Sequence, residues 1–241
     1  MTEEKKSGLN TNSNPYIIIY SSILVIVVAF LLAFVSRSLK PVQDINVALD
    51  KKKQILASLN IRGLDDAASA EKYSQVVVAD MIIDEHGDTL ASGSKGGEKD
   101  AFVLNSASYK AGKLALFVCN VDGQTKYVVP VYGMGLWGAI WGYIAIDSDK
   151  STVYGAYFNH DSETAGLGAE IKDSKAWQDQ FIGKKIFSAG SDDVALKVLK
   201  KSDVKDPVTQ CDGVTGATLT CNGVSAMLEE GLSKYKVFLL R

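Results

Sequence analysis

Histidine, cysteine and proline are scarce in these 241 residues, and a strong charge of either sign is missing. Two His (His86 and His160) and three Cys without CxxC spacing leave too few ligands for zinc or an iron–sulfur cluster, so no metal site is expected. Only 4 Pro beside 46% hydrophobic residues exclude a disordered chain. Lys plus Arg number 26 against 28 Asp plus Glu, a net charge of −2, which excludes a nucleic-acid binder held by phosphate contacts. The one GxGxxG spacing, Gly133–Gly138, falls between β-branched and aromatic clusters rather than between a strand and a helix, so no dinucleotide-binding loop is expected. What is present is an ordinary globular composition, enough for one sizeable core and an appendage.

Charge is also absent locally, from Lys6 to Arg37. Within that gap Tyr16–Val35 reads YIIIYSSILVIVVAFLLAFV, and a helix of this length spans about 30 Å, the thickness of a bilayer's hydrocarbon core. Tyr16 and Tyr20 stand where interfacial aromatics would, and Pro15 and Pro41 bracket the segment. The run is too long for a signal peptide, and no small-x-small cleavage site follows Val35. Residues 16–36 are therefore expected to be a permanent single-pass membrane helix, preceded by a tail over 1–15. Lys5 and Lys6 lie before it; Arg37, Lys40 and Lys51–Lys53 lie after it. That balance slightly favours a cytoplasmic body and does not fix the side. A second uncharged run, Tyr127–Ile146, carries Pro130 and four glycines between β-branched and aromatic clusters, so it is expected to form two buried strands joined by the Gly133–Gly138 turn.

The remainder alternates between short apolar stretches and turn residues. Residues 37–74 read as a helical connector and linker: a helix over 43–59 with Ile45, Leu49, Leu56 and Leu59 as its apolar members, then a polar linker from Arg62 to Ser74. Residues 75–241 read as one domain. Its strands are expected at 75–84, 112–120, 125–132, 138–147, 151–158 and 193–200, with a solvated loop over 92–100 and a hairpin at Asp122-Gly123. A helix fits 174–181. Another closes the chain from about Cys221, with Val224, Met227, Leu228, Leu232 and Tyr235 on one face. Strands first and helices at the ends make the fold class α+β, an antiparallel sheet flanked by helices plus the N-terminal transmembrane helix.

The chemistry concentrates in Asp212-Gly213-Val214-Thr215-Gly216-Ala217-Thr218-Leu219-Thr220, directly before the last helix. Gly216 and Ala217 allow close approach to the backbone, and the helix that follows offers free N–H groups to a phosphate. A plain helix start with Thr220 as its N-cap accounts for the same residues, and the spacing alone leaves both readings open.

The stretch DGVTGAT resembles the attachment motif of the FMN-binding domain family, in which FMN is joined through its phosphate to the last Thr of the core. The resemblance implies a covalent phosphoester at Thr218, with Thr215, Gly216 and Ala217 around it and Asp212 read by the flavin transferase during maturation. Glu163-Thr164-Ala165-Gly166-Leu167-Gly168 is similar to the family's E-T-P-G-L-G loop, which packs against the flavin; Ala165 stands where the family usually has Pro. Trp177, Phe181 and Gly183-Lys184-Lys185 continue the likeness. Gly133-Met134-Gly135-Leu136-Trp137-Gly138 resembles a loop of the branch found as the C subunit of sodium-translocating NADH:quinone oxidoreductases, where Leu136 and Trp137 would cover a flavin face.

This likeness implies an electron relay in a membrane sodium pump, passing electrons between sister subunits that include a second covalent-FMN subunit and an NADH-oxidising subunit. It places the body on the periplasmic side of the inner membrane and assigns no catalytic residue to this chain. Two alternatives stand beside it: the equivalent FMN subunit of the ferredoxin:NAD oxidoreductase complex, whose members generally lack the Leu-Trp pair, and a cofactor-free anchored binding or sensor module. His160, three residues before Glu163, is a candidate hydrogen-bond partner of the ring, and His86 reads as a solvated turn residue. Cys211 and Cys221 flank the attachment loop and could pair in an oxidising compartment, while Cys119 reads as buried core.

Overall fold

A computed structural model describes residues 11–241; the first ten residues of the expected tail lie outside it. Helix α1 runs unbroken over Asn14–Ser58 and is, among the described residues, the one helix long and apolar enough to cross a membrane. The chain divides into two compact units, Met1–Ala48 and Leu49–Arg241. In the first, Ile18, Ile26, Phe30 and Leu32 point outward, as side chains facing lipid would. Pro41, read as bracketing the apolar segment, lies inside α1. Proline removes one N–H and crowds the preceding turn, yet every residue around Pro41 is exposed, so the freed carbonyl can be solvated.

The second unit opens with the end of α1, where Ile55 and Leu56 enter the core, joined by Leu59 just past the helix. Helix α2 (Asp66–Val76) follows, in place of the linker expected from Arg62 to Ser74. Its composition is polar, but Asp65 caps it by accepting from the Ala68 amide at 2.8 Å, and Ser69, Tyr73 and Val76 supply a narrow buried stripe. Six antiparallel strands come next: β1 (Val77–Ile83), β2 (Thr89–Ala91), β3 (Leu114–Val121), β4 (Gln124–Met134), β5 (Ala139–Asp147) and β6 (Val153–His160), in the order β2-β1-β3-β4-β5-β6. A short helix, α3 (Ser106–Lys110), precedes β3. The Asp122-Gly123 hairpin forms as expected, with both residues at positive φ (50° and 80°). The second uncharged run is the β4–β5 hairpin, with Lys126 and Asp147 paired at its open end. Pro130 is tolerated in β4 because the β3 register stops at Phe117–Val128, and the Tyr235 hydroxyl reaches Ala115 O at 3.0 Å instead.

Beyond the sheet lie α4 (Glu170–Asp173), α5 (Lys175–Asp179) and the parallel pair β7 (Lys197–Leu199) and β8 (Gln210–Asp212). Helix α6 (Thr218–Lys234) begins three residues earlier than expected, and α7 (Lys236–Leu240) ends the chain. Val224, Met227, Leu228, Leu232 and Tyr235 are buried together with Val129, Val131, Ile140 and Ile144 of the sheet. That packing fixes α6 across β4 and beside β7, and places its N-terminus at the β4–β5 turn.

Candidate functional site

Three segments remote in sequence meet at the start of α6, and one carboxylate joins them. The β4–β5 turn is closed by the Gly135 amide donating to Gly138 O at 2.8 Å. Its amides face inward: Trp137 N donates to Glu163 Oε1 at 2.9 Å, and the Leu136 and Gly138 amides lie close enough to favour the charged carboxylate. The other oxygen, Oε2, accepts from the Thr220 hydroxyl at 2.5 Å. Burial by itself would raise the Glu163 pKa, but the Thr220 hydroxyl and the three amides outweigh it and hold the carboxyl below its ordinary range. Glycine at 135 and 168 follows from this arrangement, because a Cβ at either would lie 2.4 Å from a Glu163 oxygen.

Thr220 is therefore not the N-cap. It is 1% exposed, and Ala217 occupies the cap position with no side-chain hydrogen bond. Thr218 is the first residue of α6, and its side chain is exposed. It borders a cleft of about 250 Å³ that is also lined by Lys200, Lys201, Thr215, Gly216 and Asn222. Gly216 has φ +81°, and a Cβ there would come within 2.8 Å of Leu167 Cδ2, so the loop before α6 and the 163–168 loop touch at this point.

The 163–168 loop is a tight turn in which Thr164 O accepts from the amides of Leu167 (3.1 Å) and Ala169 (3.0 Å). Thr164, Gly166 and Leu167 are exposed, whereas Glu163 and Gly168 are buried. Large apolar side chains left exposed on the three joined segments are Met134, Leu136, Trp137, Leu167 and Leu219, with Trp137 at 66%. An exposed Trp beside four aliphatic groups is unusual on a folded surface and suits a flat aromatic ligand.

Asp212 is clamped through its backbone: its amide donates to Gln180 Oε1 at 3.0 Å, and its carbonyl accepts from Trp177 Nε1 at 2.8 Å. The side chain is left facing outward, 3.9 Å from Lys201. His160 accepts the Glu163 amide on Nδ1 at 3.1 Å, so that nitrogen is committed to the protein. His86 is exposed in its turn. Cys211 and Cys221 are free and buried rather than paired; Cys221 Sγ accepts from Val214 N at 3.2 Å, and Cys211 Sγ donates to Gln180 O at 3.7 Å. Burial pushes the Cys211 and Cys119 thiols up to about 12, which leaves them unreactive at neutral pH.

Sequence reasoning missed Thr220 as a Glu163 partner, although its spacing from Val224 and Met227 puts it on the buried stripe of α6. It also missed Lys200 and Lys201, because β7 and β8 had to pair before their turn could line the cleft.

These residues fit FMN at both ends: an exposed hydroxyl beside two lysines at an uncapped helix start for the phosphate, and exposed apolar groups for the ring. Residues 135–233 match the FMN-binding domain family. The chain is 32% identical over 220 residues to the C subunit of the Na(+)-translocating NADH-quinone reductase of Haemophilus ducreyi, covering 84% of this chain and 83% of that protein. Its counterpart in Vibrio anguillarum is 29% identical over 217 residues, with 83% of each covered. Among solved structures, the C subunit of the same reductase from Parabacteroides distasonis superposes with a TM-score of 0.77 at 38% identity, over 84% of this chain and 98% of that one.

Proposed function

The chain belongs to the family of C subunits of Na(+)-translocating NADH-quinone reductases, and on that premise we propose that it carries FMN on Thr218 and relays electrons within such a complex. The observation that carries this reading is the place of Thr218: an exposed hydroxyl on the first residue of α6, at the rim of a lysine-bearing cleft. A phosphoester there ties the cofactor by its inert end. The N-terminal amides and dipole of α6, with Lys200 and Lys201, offset the phosphate charge. Leu136, Trp137 and Leu167 exclude water from the ring, and Thr215, Gly216 and Ala217 keep the approach to Thr218 narrow. Bound FMN supplies reversible electron transfer, chemistry that no side chain in this chain provides.

The outward carboxylate of Asp212, whose backbone is held by Trp177 and Gln180, is the feature a flavin transferase would read during maturation. NADH oxidation, quinone reduction and sodium passage fall to partner subunits, among them a second covalent-FMN subunit, with this body on the periplasmic side of the inner membrane. In-gel flavin fluorescence of chain co-expressed with a flavin transferase tests the reading: Thr218→Ala is expected to be dark, and Thr215→Ala fluorescent. Undiminished fluorescence in Thr218→Ala would contradict it.

A further inference from the structure

Glu163 is only 7% exposed, and a carboxylate that far from water needs its oxygens paired. One oxygen accepts from the Trp137 amide of the β4–β5 turn at 2.9 Å. The second oxygen reaches a different element, the Thr220 hydroxyl in the first turn of α6, 57 residues away in sequence. Shifting the β4–β5 turn relative to α6 therefore costs a charge-assisted hydrogen bond. The clamp acts on backbone amides and leaves the Leu136 and Trp137 side chains 46% and 66% exposed. Those two side chains are presented from a turn that is itself immobilised.

We propose that Glu163 is a positioning residue: a strut between the Leu136–Trp137 turn and α6 that fixes where this apolar pair stands relative to the Thr218 hydroxyl. The inference rests on the reading of Thr218 as the FMN-bearing residue. Held at a set distance, the pair determines how dry the cofactor ring is, and so contributes to its potential.

The test has two arms on the full-length chain in detergent. In flavin-free protein, amide hydrogen exchange is followed in the 135–139 turn and the first turn of α6. Glu163→Ala is expected to speed exchange in both segments together, by at least about tenfold. Glu163→Gln is expected to stay within a few-fold of wild type, because its carboxamide can accept from the turn and donate to Thr220. Thr220→Val keeps the volume and cuts only the α6 arm, which serves should Glu163→Ala not fold.

In flavin-loaded protein, the visible spectrum and midpoint potential of the adduct-bearing fraction are compared. Both are expected to shift in Glu163→Ala and, in the same direction, in Thr220→Val. Exchange unchanged in either segment of Glu163→Ala, or both segments loosened with spectrum and potential unmoved, would overturn the proposal. A wild-type chain without adduct would contradict the function proposed above instead, and the exchange arm would then decide the strut alone.

Discussion

Glu163 shows how far residue types can be read before folding. As one acid in an exposed-looking loop, it is legible as a site residue only through its flanking glycines and the family likeness. Its work depends on two partners, the β4–β5 turn and Thr220, that no local spacing connects. The place of Thr218 beside a helix start, in contrast, was legible locally, because the small residues before it and the helix after it are contiguous. Of the two readings open for that stretch, Thr220 as a cap fails, because the early start of α6 turns it inward. A pH dependence follows. The Glu163 pKa is lowered in the fold, so its stabilising contribution is complete above the ordinary carboxylate range and is lost as pH falls through the lower folded value. Exchange protection of the Trp137 amide is expected to be flat from about pH 5 upward and to fall only below the ordinary carboxylate range near 4.3. It can be followed by amide exchange corrected for the intrinsic pH effect.

At the scale of elements, the strands were the readable part. Alternating burial, the Asp122-Gly123 turn and the glycine-punctuated Tyr127–Ile146 run each carry their own signal, and β3 to β6 lie within a few residues of expectation. Helix α2 was not readable, since a polar eleven-residue stretch becomes helical only when Tyr73 and Val76 find a core. Helix α6 sits close against the end of β4: a Cβ at Gly223 would lie 2.2 Å from Met134 O. Alanine in a helix interior normally gains about 1 kcal/mol over glycine. Here overpacking against a backbone carbonyl costs roughly 1–3 kcal/mol. Gly223→Ala is therefore expected to lower the melting temperature despite its better helix propensity. A higher melting temperature would mean that α6 does not sit this close to the β4–β5 turn.

For the whole molecule, the sequence separates an anchor from a body, and the structure draws its division at Ala48 and Leu49. Ile55 and Leu56 of α1, and Leu59 just past it, belong to the core of the body. A chain beginning at Arg37 keeps them and is expected to be monodisperse without detergent; one beginning at Asn60 loses them and is expected to aggregate. Size-exclusion chromatography separates the two outcomes. The side of the membrane was not legible, because basic residues flank the apolar run at both ends. Lys95 is exposed, whereas the neighbouring Gly96 has φ +58° and would be strained as any other residue. Lys95→Cys in intact cells is accordingly expected to react with an impermeant maleimide if the body is periplasmic, and protection would reverse that orientation.

The central claim, a single FMN held at Thr218, meets its most direct test in the intact mass of the natively matured chain, followed by fragmentation of the peptide spanning 212–222. The account predicts one adduct equal to FMN less one water, located on Thr218 and absent from Thr218→Ala. An unmodified mass, or an adduct mapped to Thr215 or Thr220, would contradict it.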